Sequence, residues 1–401
     1  MKVLWQKELM EVYKMKKVFF SIVLVIAAVS CAPKQEDIAS LSDRVFERAA
    51  QQFVLMDSNL TDGEYPRSLD AEGNLVKSNS KWWCCGFYPG SLWYTYEYTG
   101  NEQIKDLADK YTRSLHIDNV RIDHDLGFIV WCSYGNALRL TGDQSYKPMI
   151  EAAARILAAR YSPVTKTIRS WNYPLEYQVI IDNMMNLELL EEASKMFACD
   201  SLAQIARIHA NTTMENHFRE DYTTYHLVCY NMEDGSVDRR VTVQGYADDS
   251  AWARGQAWAL YGYTMMFRES GDINYLKQAI NVADMIIPYL PEDGVPYWDF
   301  NDPRIPEIYR DASAGAVMAS AFIELSQYTS DKSKSKNYLK TAEKIIRTLA
   351  SDEYLCAEGE CHGFLLKHSV GHLPKNSEVD VPLTYADYYF LEALLRYKNL
   401  K

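Results

Sequence analysis

Five turns of one kind recur along the chain: Thr99-Gly100-Asn101, Thr141-Gly142-Asp143, Ala198-Cys199-Asp200, Ser270-Gly271-Asp272 and Thr329-Ser330-Asp331. A Gly or small residue ends one helix, and the Asn or Asp then caps the next. After each turn runs an amphipathic segment, at residues 103–115, 146–160, 202–216, 275–289 and 337–349; a sixth lies at 38–56. Before each turn runs a more apolar one, at 90–98, 128–140, 182–197, 250–269 and 314–328; a last one, 385–397, closes the chain. Six polar–apolar pairs predict an all-α fold, an (α/α)6 toroid with the apolar helices inside a ring of amphipathic ones. An open solenoid is the competing architecture. Closure is favoured because the end pairs look like full members and not polar caps. Short pieces near 167–171 and 226–230 read as hairpins within loops. No Pro/Ser-rich linker divides the 401 residues, so a single domain is expected over 38–401.

If the apolar helices line the inside, their N-terminal ends share one mouth. The unusual polar residues collect just there: Trp82-Trp83 before the first, His124-Asp125 before the second, Asp182 at the third, Gln244 to Trp258 at the fourth, Arg310-Asp311 at the fifth and His372 to Thr384 before the sixth. One cleft rimmed by acids, amides, Arg and Trp is the candidate active site. Within Asp248–Tyr263, Ser250, Arg254 and Trp258 recur at four-residue steps and read as one helix face. A guanidinium fork beside an indole suits an acidic sugar, which has an anionic group and apolar C–H faces. The competing reading is an Arg paired with a nearby Asp beside a core Trp.

Asp182 sits among Val179-Ile180-Ile181 and Met184-Met185. Lost solvation disfavours its charged form, which is how a proton donor is kept protonated near neutral pH. Asp125 shares that reading, and both also read as helix caps. His124 reads as a hydrogen-bonding residue, and His226 stands alone on a loop. The net charge of −12 argues against nucleic acid and requires a local cationic pocket for an anionic ligand. The 29 Tyr and 9 Trp fit a carbohydrate cleft. These residue types point to a carbohydrate-acting enzyme with paired carboxylates, leaving hydrolase, lyase and epimerase open.

At the start, Lys14-Met15-Lys16-Lys17 precedes an apolar run, 18–29, and then Ser30-Cys31. This reads as a signal peptide over 1–31 with a lipobox ending at Cys31, the lipidation site, and a polar tether over 32–37. Met15 is the alternative start, and a plain signal peptide is the alternative to the lipobox. A periplasmic or cell-surface lipoprotein follows, with a lipid anchor as its only membrane contact. Of eight cysteines, seven remain after Cys31, so mostly buried free thiols are expected. Cys356 and Cys361 flank a short acidic loop across which a bridge is a further option. No Cys/His cluster has zinc spacing, and no metal is expected.

The sequence resembles the unsaturated glucuronyl hydrolases of glycoside hydrolase family 88. The resemblance is carried by His124-Asp125-Leu126-Gly127-Phe128, Ile181-Asp182-Asn183-Met184-Met185-Asn186-Leu187 and Trp252-Ala253-Arg254-Gly255-Gln256-Ala257-Trp258, with 86–93 and 386–394 in support. It covers roughly residues 40–400, in order. Rhamnogalacturonyl hydrolases, acting on pectin fragments, share both Asp motifs. Gln256-Ala257-Trp258 favours the glucuronyl branch over the Asn-Gly-Trp usual in theirs. The resemblance implies a six-hairpin toroid, no cofactor, and substrates ending in a 4,5-unsaturated uronic acid, with glycosaminoglycan fragments the expected source. It implies Asp182 as general acid and base and Asp125 as the second essential acid, a like charge that would raise the Asp182 pKa. Gln244, Arg254, Trp258, His226 and Thr242 match substrate-contacting positions, and one of Trp82 and Trp83 stacks on the sugar. Lys375, with Ser377, is a candidate for a sulfate. The competing function is a lipoprotein that binds acidic glycans without turnover. Oligomeric state is not readable from the sequence.

Overall fold

The computed structural model describes residues 36–117, 123–173 and 175–400, with Trp5, Met10 and Glu11. The apolar run 18–29 and Cys31 lie outside the described residues, and the compact body spans Ser42–Lys401. Among the described residues twelve longer helices follow in chain order: α1 Ile38–Ser58, α2 Phe87–Thr99, α3 Glu102–Arg113, α4 (a π-helical stretch Gly127–Gly135 continued by Asn136–Thr141), α5 Lys147–Ala158, α6 Leu187–Phe197, α7 Asp200–Asn216, α8 Ala253–Ser270, α9 Ile273–Ile286, α10 Ala312–Tyr328, α11 Lys332–Leu349 and α12 Thr384–Lys398. Each even-numbered helix packs on the next even-numbered one, and α12 packs back on α2, closing the ring. The even helices are buried along most of their length, the odd ones only along a stripe. Among the described residues no helix is long and apolar enough to cross a membrane.

The turns behave as their chemistry demands. Asn101, Asp143, Asp272 and Asp331 each accept hydrogen bonds from backbone N–H groups of the following turn. Gly100, Gly142 and Gly271 close the preceding helices in the left-handed region, at φ of 67°, 69° and 71°. Two expectations are corrected. Asp200 is no cap but lies in the first turn of α7, where the helix dipole favours its charge. α11 begins at Lys332 and not near 337, because the Asp331 cap starts the helix within the Lys/Ser run.

The strands are loop hairpins: β1 Tyr65–Leu69 with β2 Leu75–Ser78, β3 Tyr161–Ser162 with β4 Thr167–Ile168, and β8 Ser369–His372 with β9 Ser377–Val381. Between the second and last of these, β5 Tyr177–Ile180, β6 Leu227–Tyr230 and β7 Val237–Val241 form a three-stranded antiparallel sheet. β5 and β6 carry the chain into Asp182 and out of His226. Cys356 and Cys361 form a disulfide, while Cys84, Cys85, Cys132 and Cys229 are buried free thiols and Cys199 is a half-buried one.

Candidate active site

Asp182 opens a 3-10 turn, Ile181–Asn186, at the end of β5. The turn is held from several sides: Ile181 N–H donates to the His226 carbonyl at 3.0 Å, Ile180 N–H to Ser170 Oγ at 3.0 Å, and Asn183 Nδ2 to the Ile168 carbonyl at 2.8 Å. At its far end Asn186 Oδ1 accepts from Gly127 N at 2.8 Å and Phe128 N at 3.3 Å. Gly127 is required there, since a Cβ would lie 2.5 Å from Asn186 Cα. This junction ties the start of α4, two residues after Asp125, to the turn that carries Asp182. Their side chains are 14% (Asp182) and 11% (Asp125) exposed, so neither is sealed away.

Each acid has its histidine. His124 Nε2 lies 3.4 Å from Asp125 Oδ1, and its Nδ1 lies 3.5 Å from Ser170 Oγ. His226 Nε2 lies 3.8 Å from Asp182 Oδ2. Val243 N–H donates to His226 Nδ1 at 3.0 Å, so Nδ1 holds the lone pair and Nε2 the proton. Burial, with the nearby Arg254 charge, pushes the His226 pKa down to about 3, so the ring is neutral. Neither Asp182 Oδ2 nor His226 Nε2 has a hydrogen-bond partner among the described residues.

Burial lifts the Asp182 pKa to about 6, while the Arg254 charge, its own backbone N–H and the Trp258 indole N–H hold it down. Desolvation is the leading cause, as the apolar neighbours of Asp182 predict. The Ser250, Arg254, Trp258 face is corrected as well. α8 starts only at Ala253, and Ser250 lies before it, donating to Asp299 Oδ2 at 2.7 Å. Arg254 is 2% exposed and its fork is occupied: Nη1 donates to Asp311 Oδ2 at 3.0 Å and to the Val370 carbonyl, Nη2 to the Gly371 carbonyl at 2.7 Å. The Arg–Asp pair beside a core Trp is what forms. Arg254 therefore acts on the site through its charge. Trp258 is fully buried between Phe128 and Tyr389, so it offers no open platform; its indole N–H, without a hydrogen-bond partner among the described residues, helps hold the Asp182 pKa down.

The remaining candidates divide. Trp83 joins the inner aromatic group, with ring centroids 5.0 Å from Tyr385 and 5.5 Å from Phe128. Trp82 is covered by the Arg67 guanidinium 3.9 Å above its ring. Gln244 is half-buried beside His226, whose Nδ1 its N–H approaches at 3.4 Å. Thr242 Oγ1 accepts from Gly245 N at 2.8 Å and shapes the turn. Lys375 is exposed in the β8–β9 connection, and its charge helps push the His372 pKa down to about 4, after burial. His372, which opens the polar stretch before the sixth inner helix, has two ring nitrogens buried without a partner among the described residues. Sequence reasoning gave no role to Trp171 or to the motif residue Trp252, whose rings approach His226 at 6.3 Å and 4.8 Å. Among the described residues no group of three or more His, Cys, Asp or Glu could hold a metal ion.

The site thus holds a carboxyl whose pKa is raised to about 6, a second acid, neutral imidazoles and aromatic rings. A model of glycosyl hydrolase family 88 matches residues 54–397. The chain belongs to glycosyl hydrolase family 88. It is 45% identical over 345 residues to an unsaturated glucuronyl hydrolase of Formosa agariphila, covering 84% of this chain and 85% of that protein. It is 30% identical over 363 residues to an unsaturated chondroitin disaccharide hydrolase of Streptococcus agalactiae, covering 88% and 91%. The crystal structure of an unsaturated glucuronyl hydrolase specific for heparin superposes with a TM-score of 0.86 at 44% identity, covering 89% of this chain and 96% of that one. The family-88 toroid is thus shared by sequence and by fold.

Proposed function

We propose that this family-88 enzyme removes a terminal 4,5-unsaturated uronic acid from glycosaminoglycan-derived oligosaccharides by hydrating the C4=C5 vinyl ether. The observation that carries the mechanism is Asp182, with its pKa near 6 and a neutral His226 N–H 3.8 Å away. Protonated Asp182 gives its proton to C4, which leaves an oxocarbenium-like cation at C5. The carboxylate so formed is stabilised by the Arg254 charge and the Trp258 N–H, the groups that hold its pKa down. It then takes a proton from water as that oxygen bonds to C5. The resulting hemiketal opens and expels the next sugar, so one water is consumed. Asp125, held by His124, binds sugar hydroxyls; Trp83 faces the ring because Arg67 already occupies Trp82. Gln244, His372 and Lys375 face the rest of the substrate. The test is loss of vinyl-ether absorbance on adding a lyase-made disaccharide. Asp182→Asn should lower kcat by at least a thousandfold while substrate still binds. An Asn variant at full rate removes the mechanism, and turnover of pectin-derived substrates alone moves the chain to the rhamnogalacturonyl reading.

We also propose export and lipid anchoring at Cys31. The basic–apolar–Cys pattern of residues 14–31 supports it, as does the Cys356–Cys361 disulfide, a bond that persists in oxidising compartments. Cys31→Ser should move the protein from the membrane to the soluble fraction of its native host. An unchanged distribution counts against the anchor.

A further inference from the structure

In a chain of net charge −12, basic residues are concentrated on one outer helix. α11 carries six Lys and Arg against one acid, Glu343, whereas each of the other five outer helices balances to within one charge. Two of the six are used internally: Lys334 pairs with Asp284, and Arg347 with Glu343 at 2.7 Å. The other four, Lys332, Lys336, Lys340 and Lys344, are all exposed and stand at four-residue steps. None of these four has a hydrogen-bond or ion partner among the described residues. They form a cationic line about 18 Å long, twelve residues at 1.5 Å each. Like charges at this spacing repel along a helix, so the line is a cost to the folded protein unless something neutralises it.

We propose that this line binds a linear anionic glycan, as a capture surface separate from the catalytic mouth. The shape favours a linear polyanion over a membrane plane. The apolar side of α11, with Tyr338, Ala342, Ile345, Ile346 and Leu349, is buried in the toroid, and no large hydrophobic residue of the helix is exposed to enter lipid. The line also leads somewhere. Because α11 returns antiparallel to α10, its C-terminal end lies toward the catalytic mouth. There the Lys344 stem packs near Gly294, where an added Cβ would meet its Cδ at 3.3 Å. The neighbouring Asp293 holds Arg310 in a two-pronged pair at 3.0 and 2.9 Å, one residue before Asp311. An acidic protein that takes acidic substrates gains from such a local field, because its overall charge repels them. The choice of a glycan among polyanions rests on the proposed activity, but binding is read without turnover, so the two stand or fall separately.

The test uses the mature enzyme on immobilised dextran sulfate, with neutral dextran and phosphatidylglycerol vesicles as the other arms. Four lysine contacts predict a log Kd against log salt slope of about 3, or roughly 50-fold weakening between 50 and 200 mM salt, if each contact releases counterions as on a single-stranded polyanion. Substituting all four lysines by Glu should abolish retention on dextran sulfate, and by Gln should weaken it severalfold. Both variants should keep the wild-type kcat and KM on a disaccharide. Equal retention of the Glu variant and wild type, or no salt-sensitive retention of wild type, overturns the proposal. Tighter binding to the vesicles than to the polymer overturns it in favour of a membrane surface.

Discussion

Asp182 illustrates how one side chain trades stability for chemistry. Its pKa of about 6 in the fold stands above the ordinary 3.8, so the folded state holds the proton more tightly than the unfolded chain. Its contribution is fully present below about pH 4 and is lost as pH rises through 6. The gap is worth about 3 kcal/mol at 1.36 kcal/mol per unit. Asp182→Asn removes this titration. The variant should therefore gain up to about 3 kcal/mol of stability relative to wild type between pH 4 and pH 7.5, read by urea unfolding at both pH values. A difference that stays constant with pH would show that the carboxyl is not held in its raised state. On the proposed mechanism the same titration sets activity: kcat/KM should fall as pH rises through about 6, because the proposed proton donor is then lost. Nearby, Gln256 gives a motif residue a physical meaning. Fully buried, it accepts from Thr224 N at 2.8 Å and donates to Thr224 Oγ1 at 3.0 Å, pinning the strand entry two residues before His226.

At the scale of elements, the six helix pairs were legible because caps and periodicity are local properties. Asn101, Asp143, Asp272 and Asp331 do what their side chains dictate whatever surrounds them. The gathering of polar residues before every apolar helix was legible for the same reason. What failed depended on partners distant in the chain. The occupant of the Arg254 fork comes from Asp311 and from the β8–β9 hairpin more than a hundred residues away. Arg254 and Trp258 alone cannot announce that their exposed-looking chemistry is buried. The start of α8 was misplaced because Asp248 and Ser250 turn to other partners, Asp248 Oδ1 accepting from Thr242 N at 2.7 Å. His372 was legible only as part of a polar stretch, because its two idle nitrogens exist only once the hairpin folds. The disulfide needed the loop geometry that brings Cys356 and Cys361 together.

Across the whole molecule the two ends of the toroid are built on opposite terms. The catalytic mouth leaves polar atoms idle: Asp182 Oδ2, His226 Nε2 and both nitrogens of His372. Such atoms are costly to bury and wait for a ligand. At the other end of the inner helices a recess of about 430 Å³ is lined by charges that already have partners. Its centre is Glu392 on α12, which accepts from Tyr94 on α2 at 2.9 Å, Tyr261 on α8 at 3.0 Å and Ser320 on α10 at 2.5 Å. One carboxylate thus ties the last helix to three others and helps close the ring. Around it Arg268 binds Glu188 and Glu324 at 2.6 and 2.8 Å. Glu392→Gln weakens three charge-assisted hydrogen bonds and should cost about 3 kcal/mol of global stability. The midpoint of the alkaline fall in kcat/KM should stay near pH 6 and the disaccharide KM should not move, because among the described residues the partners of Glu392 are Tyr94, Tyr261, Ser320 and Arg396. A Glu392→Gln protein of unchanged urea midpoint but altered KM would mean that the closed end reports to the open one, and the division of labour between them would be wrong.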